Sequence, residues 1–261
     1  MQQAYFSREY LFFDTIDSTH AYAVENSNKL KNGTIISANF QNKGRGRLQR
    51  SWISDKGDSL LISILLKPKI SPDKASLITP VLSIAVSRLL DQMNIKSEIV
   101  WPNDIMVKGK KIGGILADTS IENSTAYPSY IVASLGLNVN QDKDKIDKIN
   151  AARPATSIYL ETSKKHDPTT LINPLIDIFE PLYTTFLTNG FAALIDEWRD
   201  KMSLFGEDVL IDLGKKVIGG TITKFGDDGS IEITESNGQN HFFHSGEIIR
   251  IRQNKKDQNV I

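Results

Sequence analysis

Gln41–Trp52 reads QNKGRGRLQRSW and lies between two strand-like runs, GTIISANF at Gly33–Phe40 and SLLISILL at Ser59–Leu66. The flanking runs are apolar and β-branched enough to be buried strands, which makes the intervening stretch a loop at the mouth of a sheet. Lys43, Arg45, Arg47 and Arg50 crowd that loop. Cations beside a core need water or a bound anion to compensate them. Gly44 and Gly46 lack a Cβ, so backbone N–H groups can approach phosphate oxygens closely, while arginine forks bind carboxylate or phosphate bidentately. The loop therefore reads as an anion clamp. A solvated basic loop and a nucleic-acid patch remain as alternatives at this level.

The bulk composition narrows the choice. The chain has 261 residues, with 31 Lys and Arg against 31 Asp and Glu and no cysteine. A chain that lived by non-specific nucleic-acid binding would carry a basic excess, so overall neutrality makes the local arginine cluster a more specific signal. Without cysteine there are no disulfides and no thiolate metal sites, which suits a reducing compartment. The start, MQQAYFSREYLFF, has no long apolar core after a basic segment, and no run of about twenty apolar residues follows. A cytoplasmic protein without a membrane span is expected.

Working outward, EYLFFDTI at Glu9–Ile16 reads as a strand, followed by a helix pattern whose cap lies among Asp17, Ser18 and Thr19. A helix N-terminus carrying hydroxyls also receives polar or anionic ligands. Apolar residues at helical spacing from Pro72 to Asn94 predict one long amphipathic helix across the sheet. Next comes SEIVWPNDIMVKGKKIGGILADTS from Ser97, in which Pro102-Asn103-Asp104 bends the strand, and Ile105–Val107 and Ile112–Ala117 pair around Lys108-Gly109-Lys110. Gly113-Gly114 beside Lys111 suggests the close approach of a ligand or another backbone. YIVASLGLNV at Tyr130–Val139 is a further buried strand, and Asp142 to about Asp167 reads as loop with short helices. Asn173-Pro174 would start another helix as an N-cap and first-turn pair, with a kink at Pro181 and a stop at Gly190. Phe191–Met202 makes a last helix. From Gly206 short strands separated by Asp228-Gly229 and Asn237-Gly238 predict a small β-barrel, and the tail after Arg252 reads as frayed. The four histidines are too scattered for a metal cluster, and the chain lacks both a G-x-S-x-G elbow and a P-loop.

Taken together, GRGRLQRSW, then WPNDIMVKGKKIGGIL about fifty residues later, then SLGLNVN and SGEIIRIR, resemble the ordered blocks of the biotin–protein ligases. Their catalytic domain carries a GRGRxGRxW loop, a KWPND strand leading to a lysine and G-I-L, and a G-x-G-x-N-V block. The resemblance implies an α+β fold: a mixed sheet with flanking helices, like the class II aminoacyl-tRNA synthetases, at residues 1–203, plus a small SH3-like barrel at 204–261. It implies a two-step ligation. Biotin's carboxylate attacks the α-phosphate of ATP to give biotinyl-5′-AMP, and a lysine of a biotin carboxyl carrier protein domain then attacks the mixed anhydride.

The resemblance also implies roles for residues. Ser18, Thr19, His20 and Gln41 would hold the biotin ring system, and Gly44, Arg45, Gly46 and Arg47 would close over its carboxylate, with Lys111 and Gly114 beside them. Arg47, Arg50, Trp52, Lys111 and Asn138 would meet ATP. Lys111 and Arg47 would be catalytic, and Asp104 would take the proton of the carrier lysine, whose free amine titrates near 10.4. Mg²⁺ would ride on the phosphates with few protein ligands. Glu247 and Arg250 would reach back from the barrel. The glycines would let the loop fold over the adenylate and shield it from water.

Several positions depart from the family pattern: Val100 for the lysine before W-P-N-D, Leu48-Gln49 for Arg-Gly, His20 for asparagine, and Ser134 for the first glycine of the third block. Because the chain begins directly at the catalytic blocks, no DNA binding is expected, while a homodimer through an exposed sheet edge stays open. The rival readings are a lipoate-type ligase on the same fold and a nucleic-acid-binding module that uses the Arg-Gly loop.

Overall fold

The computed structural model describes residues 6–120, 126–148, 154–214 and 216–250, and the tail after Arg252 lies outside them. In chain order the first part forms β1 (Tyr10–Phe13), α1 (Thr19–Glu25), β2 (Thr34–Ala38), β3 (Ser59–Leu66), α2 (Ile78–Gln92), β4 (Glu98–Val100), β5 (Asp104–Val107), β6 (Lys110–Ser120) and β7 (Tyr130–Asn138). The seven strands make one sheet in the order β1-β2-β3-β7-β6-β5-β4. β1 and β2 run parallel and the remaining neighbours antiparallel, so the sheet is mixed. α3 (Lys143–Lys148), α4 (Ile158–Thr162), α5 (Ile172–Asn189) and α6 (Ile195–Lys201) follow.

Side-chain alternation decides which face does what. On β3, Leu60, Ile62, Ile64 and Leu66 point into the main core beneath α2 and α5, while Leu65 belongs to a small cluster with Ala23 of α1. On β7 the same division is sharper. Ile131, Ala133, Leu135 and Leu137 enter the main core, which leaves Val132, Ser134, Gly136 and Asn138 for the opposite face. Each large aliphatic side chain buried this way contributes roughly 1.5–3 kcal/mol. One face is thus committed to packing. The other is covered at one end by α1 and elsewhere carries small and polar residues.

Three helix expectations need correction. Phe191–Met202 is not one helix: a 3₁₀ turn at Phe191–Ala193 is separated from α6 by Leu194, whose φ of −120° interrupts the helical run. Pro72–Asn94 is not one helix: Pro72–Leu77 is a 3₁₀ segment that leads into α2, and Asn94, at φ 59°, ends the run. The Asn173-Pro174 pair does not cap α5. The same chemistry occurs upstream, where Asp167 accepts from the Thr169 N–H and Pro168 opens a 3₁₀ turn that runs into the helix. Pro174 then occupies the first turn of α5, where its missing N–H costs nothing. The helix runs through Pro181 and stops at Gly190, whose φ is 77°.

The second sheet comprises β8 (Asp208–Asp212), β9 (Val217–Phe225), β10 (Ile231–Thr234), β11 (Asn240–Phe243) and β12 (Glu247–Arg250). It is antiparallel in the order β11-β10-β9-β8-β12, which fits the small SH3-like unit. Its core residues Val209, Ile211, Ile231 and Ile233 are continuous with the main core. Polar contacts fix the two together: the Trp101 indole N–H donates to the Gly229 carbonyl at 3.0 Å, and the Arg199 guanidinium to the Phe225 carbonyl at 2.7 Å. Between the sheets, Met202 bridges Ile99 of β4, and the Ser203 N–H donates to the Ile99 carbonyl at 3.0 Å. Among the described residues no helix is long and apolar enough to cross a membrane.

Candidate active site

The basic loop is held at its base and across its width. The N–H of Asn42 donates to the Ile16 carbonyl at 2.9 Å and that of Lys43 to the Asp17 carbonyl at 2.8 Å. Inside the loop, the Gly46 N–H donates to the Arg50 carbonyl at 2.7 Å and the Trp52 N–H to the Gly44 carbonyl at 3.0 Å. The chain doubles back through Leu48 and Gln49, both left-handed at φ 53° and 60°, a conformation that costs a non-glycine residue about 1 kcal/mol.

Trp52 sets the glycine requirements. A Cβ on Gly44 would stand 2.5 Å from the Trp52 carbonyl oxygen, and one on Gly136 only 2.6 Å from the indole ring. The ring therefore lies directly against the β7 backbone. Its Nε1 is a buried donor with no partner among the described residues. Gly114 faces Gly136 across the β6–β7 ladder, and the Lys111 ammonium occupies the space a Gly114 side chain would need, 3.2 Å from that Cβ.

The charged groups converge here. Lys111 Nζ lies 2.6 Å from Asp104 Oδ1 and 6.0 Å from the centre of the Trp52 ring. The backbone of Lys111 bonds in both directions to the 154–156 segment: its N–H to the Pro154 carbonyl at 2.7 Å, and its carbonyl from the Thr156 N–H at 2.9 Å. Arg47 Nη1 donates to Asn103 Oδ1 at 3.0 Å and to the Gly246 carbonyl at 3.4 Å. Burial pushes the Arg47 guanidinium below its ordinary value, with Asp104 and Glu247 opposing the fall and Arg50 adding to it. An anion bound beside Arg47 would relieve that penalty. Arg50 forms a forked pair with Glu247 at 2.8 and 2.7 Å, which raises its guanidinium. The small sheet thus reaches the site through Gly246 and Glu247. The Arg250 side chain lies outside the described residues.

Helix α1 supplies the other end. Ser18 is its N-cap and accepts from the Ala21 N–H at 3.3 Å. Gln41 Oε1 accepts from both the N–H and the hydroxyl of Thr19, at 2.7 and 3.0 Å.

These groups line one cavity of about 470 Å³, within the range of about 300–1,000 Å³ usual for small-molecule sites. It runs from a hydroxyl and amide end, where Ser18, Thr19, His20 and Gln41 stand, to a cationic end with Arg45, Arg47, Arg50 and Lys111. Gly46, Trp52, Asp104, Gly114 and Asn138 also line it. Gly44 does not. It packs against the Trp52 backbone from the side of a neighbouring cleft. Asn138 is 4% exposed with both ends engaged, donating to the Thr156 carbonyl at 3.0 Å and accepting from Gln141 at 3.1 Å. It leaves little side chain for a ligand. Sequence reasoning gave no site role to Asn103, Ser134 or Gly136, which line the cavity as well. The alternation of small and large residues in ASLGLN was the signal that marked two of them.

Residues 12–138 match the model of the biotin/lipoate A/B protein ligase family. The bifunctional ligase/repressor BirA of Bacillus spizizenii is 32% identical over 192 residues, which cover 72% of this chain and 58% of that protein. The chain thus spans less than two thirds of that relative's length. The biotin–[acetyl-CoA-carboxylase] ligase of Paracoccus denitrificans is 26% identical over 225 residues, covering 82% of this chain and 90% of that one. Among solved structures, the biotin protein ligase of Aquifex aeolicus in complex with biotin and ATP superposes with a TM-score of 0.78 at 26% identity, covering 94% of this chain and 100% of that one.

Proposed function

Because residues 12–138 carry a biotin/lipoate A/B protein ligase domain, we propose that this chain is an ATP-dependent biotin–protein ligase acting on a lysine of a biotin carboxyl carrier protein domain. The observation that carries the reading is the convergence of Arg47, Lys111 and the Ser18–Thr19–Gln41 end on a single cavity. The hydroxyl and amide end suits a polar ring, and the cationic end a carboxylate and a phosphate. The reading divides the chain into a biotin- and ATP-binding unit, residues 1–203, and a smaller unit, residues 204–261, that helps close the site.

In the first step the biotin carboxylate oxygen bonds to the α-phosphorus and pyrophosphate leaves. Carboxylate and triphosphate repel each other, and fixed cations in a partly dry cavity lower that barrier by several kcal/mol. Lys111 sits where it can bridge the two anions, Arg47 is the buried guanidinium on the same path, and the Trp52 indole N–H is a donor awaiting an acceptor. Arg50, held by Glu247, faces the nucleotide. In the second step the carrier amine attacks the acyl carbon and AMP leaves, with Asp104 as the acceptor of the amine proton. Among the described residues no group of three or more His, Cys, Asp or Glu side chains could hold a metal ion. Magnesium would ride on the phosphates of ATP, with few protein ligands.

Pyrophosphate exchange tests the reading. Radiolabelled pyrophosphate should enter ATP only when biotin is present. Exchange that depended on lipoate would move the chain to the lipoate-type ligases, and exchange with neither acid would defeat the proposal.

A further inference from the structure

Behind the polar end of the cavity, five hydrogen bonds follow one another. Asp118 Oδ2 meets His20 Nε2 at 2.8 Å, and His20 Nδ1 meets the Ser134 hydroxyl at 2.7 Å. Ser134 then meets Ser63 at 2.7 Å, Ser63 meets Thr19 at 2.9 Å, and the Thr19 hydroxyl meets Gln41 Oε1 at 3.0 Å. The two positions that depart from the family pattern on adjacent strand and helix, His20 and Ser134, are therefore direct partners. His20 is only 3% exposed, whereas Asp118 is largely open to solvent at the neighbouring cleft.

The ends of this file can only accept. Asp118 offers a carboxylate oxygen. At the other end the Thr19 backbone N–H also donates to Gln41 Oε1, at 2.7 Å, which fixes the amide with its oxygen toward Thr19. The Thr19 hydroxyl must then donate to Gln41, Ser63 to Thr19, and Ser134 to Ser63. All the hydroxyl protons are now used, so the link between Ser134 and His20 needs a proton on Nδ1. The link to Asp118 needs another on Nε2. A neutral imidazole, with one ring proton, leaves one of the five links unmade in a buried place, where an unsatisfied polar group is costly.

The cations Arg45, Arg47, Arg50 and Lys111 line the same cavity as His20, toward its other end. β2 (TIISA) and β3 (SLLISILL), which pack against α1, have no titratable side chain, and β7 has only Tyr130, four residues before Ser134. Tyr22 and Glu25 lie further along α1, and Asp17 just before it is paired with Lys43 at 2.7 Å. Asp118 on β6 is the charged partner that touches the ring.

We infer that His20 is a positioning residue that, by donating from one ring nitrogen to Asp118 and from the other to Ser134, sets the hydrogen-bond direction of the polar end of the cavity. With the file running one way, Thr19 and Ser134 each donate inward along it and keep an acceptor lone pair. That end then selects a ring bearing N–H donors, which under the function proposed above is the cyclic urea of biotin.

The test uses the full chain labelled with ¹⁵N-histidine and no ligand. The His20 ring nitrogens, assigned by their loss in His20→Asn, should both read as protonated near neutral pH, and in Asp118→Asn the ring should read as neutral. A neutral ring in the unmodified chain overturns the inference. Calorimetry with biotin should show Asp118→Asn weakened about tenfold, the loss expected for one charge-assisted hydrogen bond. His20→Asn with Ser134→Gly should lose less than the product of the single losses, because the partners are removed together. Unchanged biotin affinity in Asp118→Asn, or simple multiplication of the single effects, overturns the inference as well. Since the ring spectrum is recorded without ligand, a chain that bound no biotin would defeat the substrate reading while the proton count was still decided on its own.

Discussion

Lys111 and Asp104 form a direct ion pair, 2.6 Å from Nζ to Oδ1, inside the cavity that Arg47 also enters. Each is partly shielded, at 29% and 16% side-chain exposure, so neither charge is fully screened by water. An incoming carboxylate or phosphate must share or displace the Asp104 contact, and it meets a cation already fixed in place.

Replacing Lys111 by Gln should therefore slow adenylate formation by roughly 10²–10³, the usual cost of losing one preorganised stabilising group. Single-turnover release of pyrophosphate, compared with biotin binding, reads this. Lys111→Arg should restore little, because a planar fork does not fill the place of a compact ammonium over Gly114. A rate within a few-fold of the unmodified chain would remove Lys111 from the reaction.

Asp104→Asn separates the two half-reactions. Transfer to the carrier lysine should fall by about 10²–10⁴, as for loss of a general base, while pyrophosphate exchange changes by less than tenfold. The pH–rate profile of the transfer step is the decisive measurement. If it is the same in both proteins, Asp104 is not the base.

Arg47 ties the loop to Asn103 and to Gly246, in the turn that leads into β12 of the small sheet. Arg47→Gly should leave adenylate formation partly intact and let the intermediate escape, so that bystander lysines become labelled. Avidin blotting of an added bystander protein reads the escape. Equal loss of both half-reactions without stray labelling would contradict the loop's shielding role.

Glu161 joins the β5–β6 turn to the floor of the site, accepting from Lys108 at 2.8 Å and Thr156 at 2.7 Å. Burial pushes its carboxyl up, but the hydrogen bonds from Lys108 and Thr156 and the nearby lysine charges leave it below its ordinary value. A depressed carboxyl contributes stability above the unfolded-state value, about 4.3, and loses it as pH falls through the lower folded value. Glu161→Gln should thus lower the stability near pH 7 by about 1 kcal/mol or less since Lys108 is exposed, read as a lower melting temperature, with the difference shrinking in acid. A difference that grew in acid would reverse the sign of this argument.

Much of this architecture is legible in the chain because strands announce themselves by local composition. Ser59–Leu66 needed only a predominantly apolar run, and the Lys108-Gly109 turn only its flanking strands. Helix starts were less legible, since Asp167-Pro168 and Asn173-Pro174 carry the same signal and only packing chooses between them. In the site, charge and glycine content pointed to Arg45, Arg47, Lys111 and Gly114. The His20–Ser134 contact joins residues 114 positions apart, and no local pattern predicts that two departures from a family pattern will touch. Leu48 and Gln49 show the converse limit: the left-handed backbone of the loop persists there without a glycine, because the ladder on either side holds it.

The pairing of Met202 and Ser203 with Ile99 has a practical consequence. What looks like a tether between two bodies is a seam that hems the outer border of the larger one. Trimming the protein back to Lys201 would strip β4 and leave it open to adhesion with other molecules. A shortened version meant to survive alone should keep the chain through Ser203.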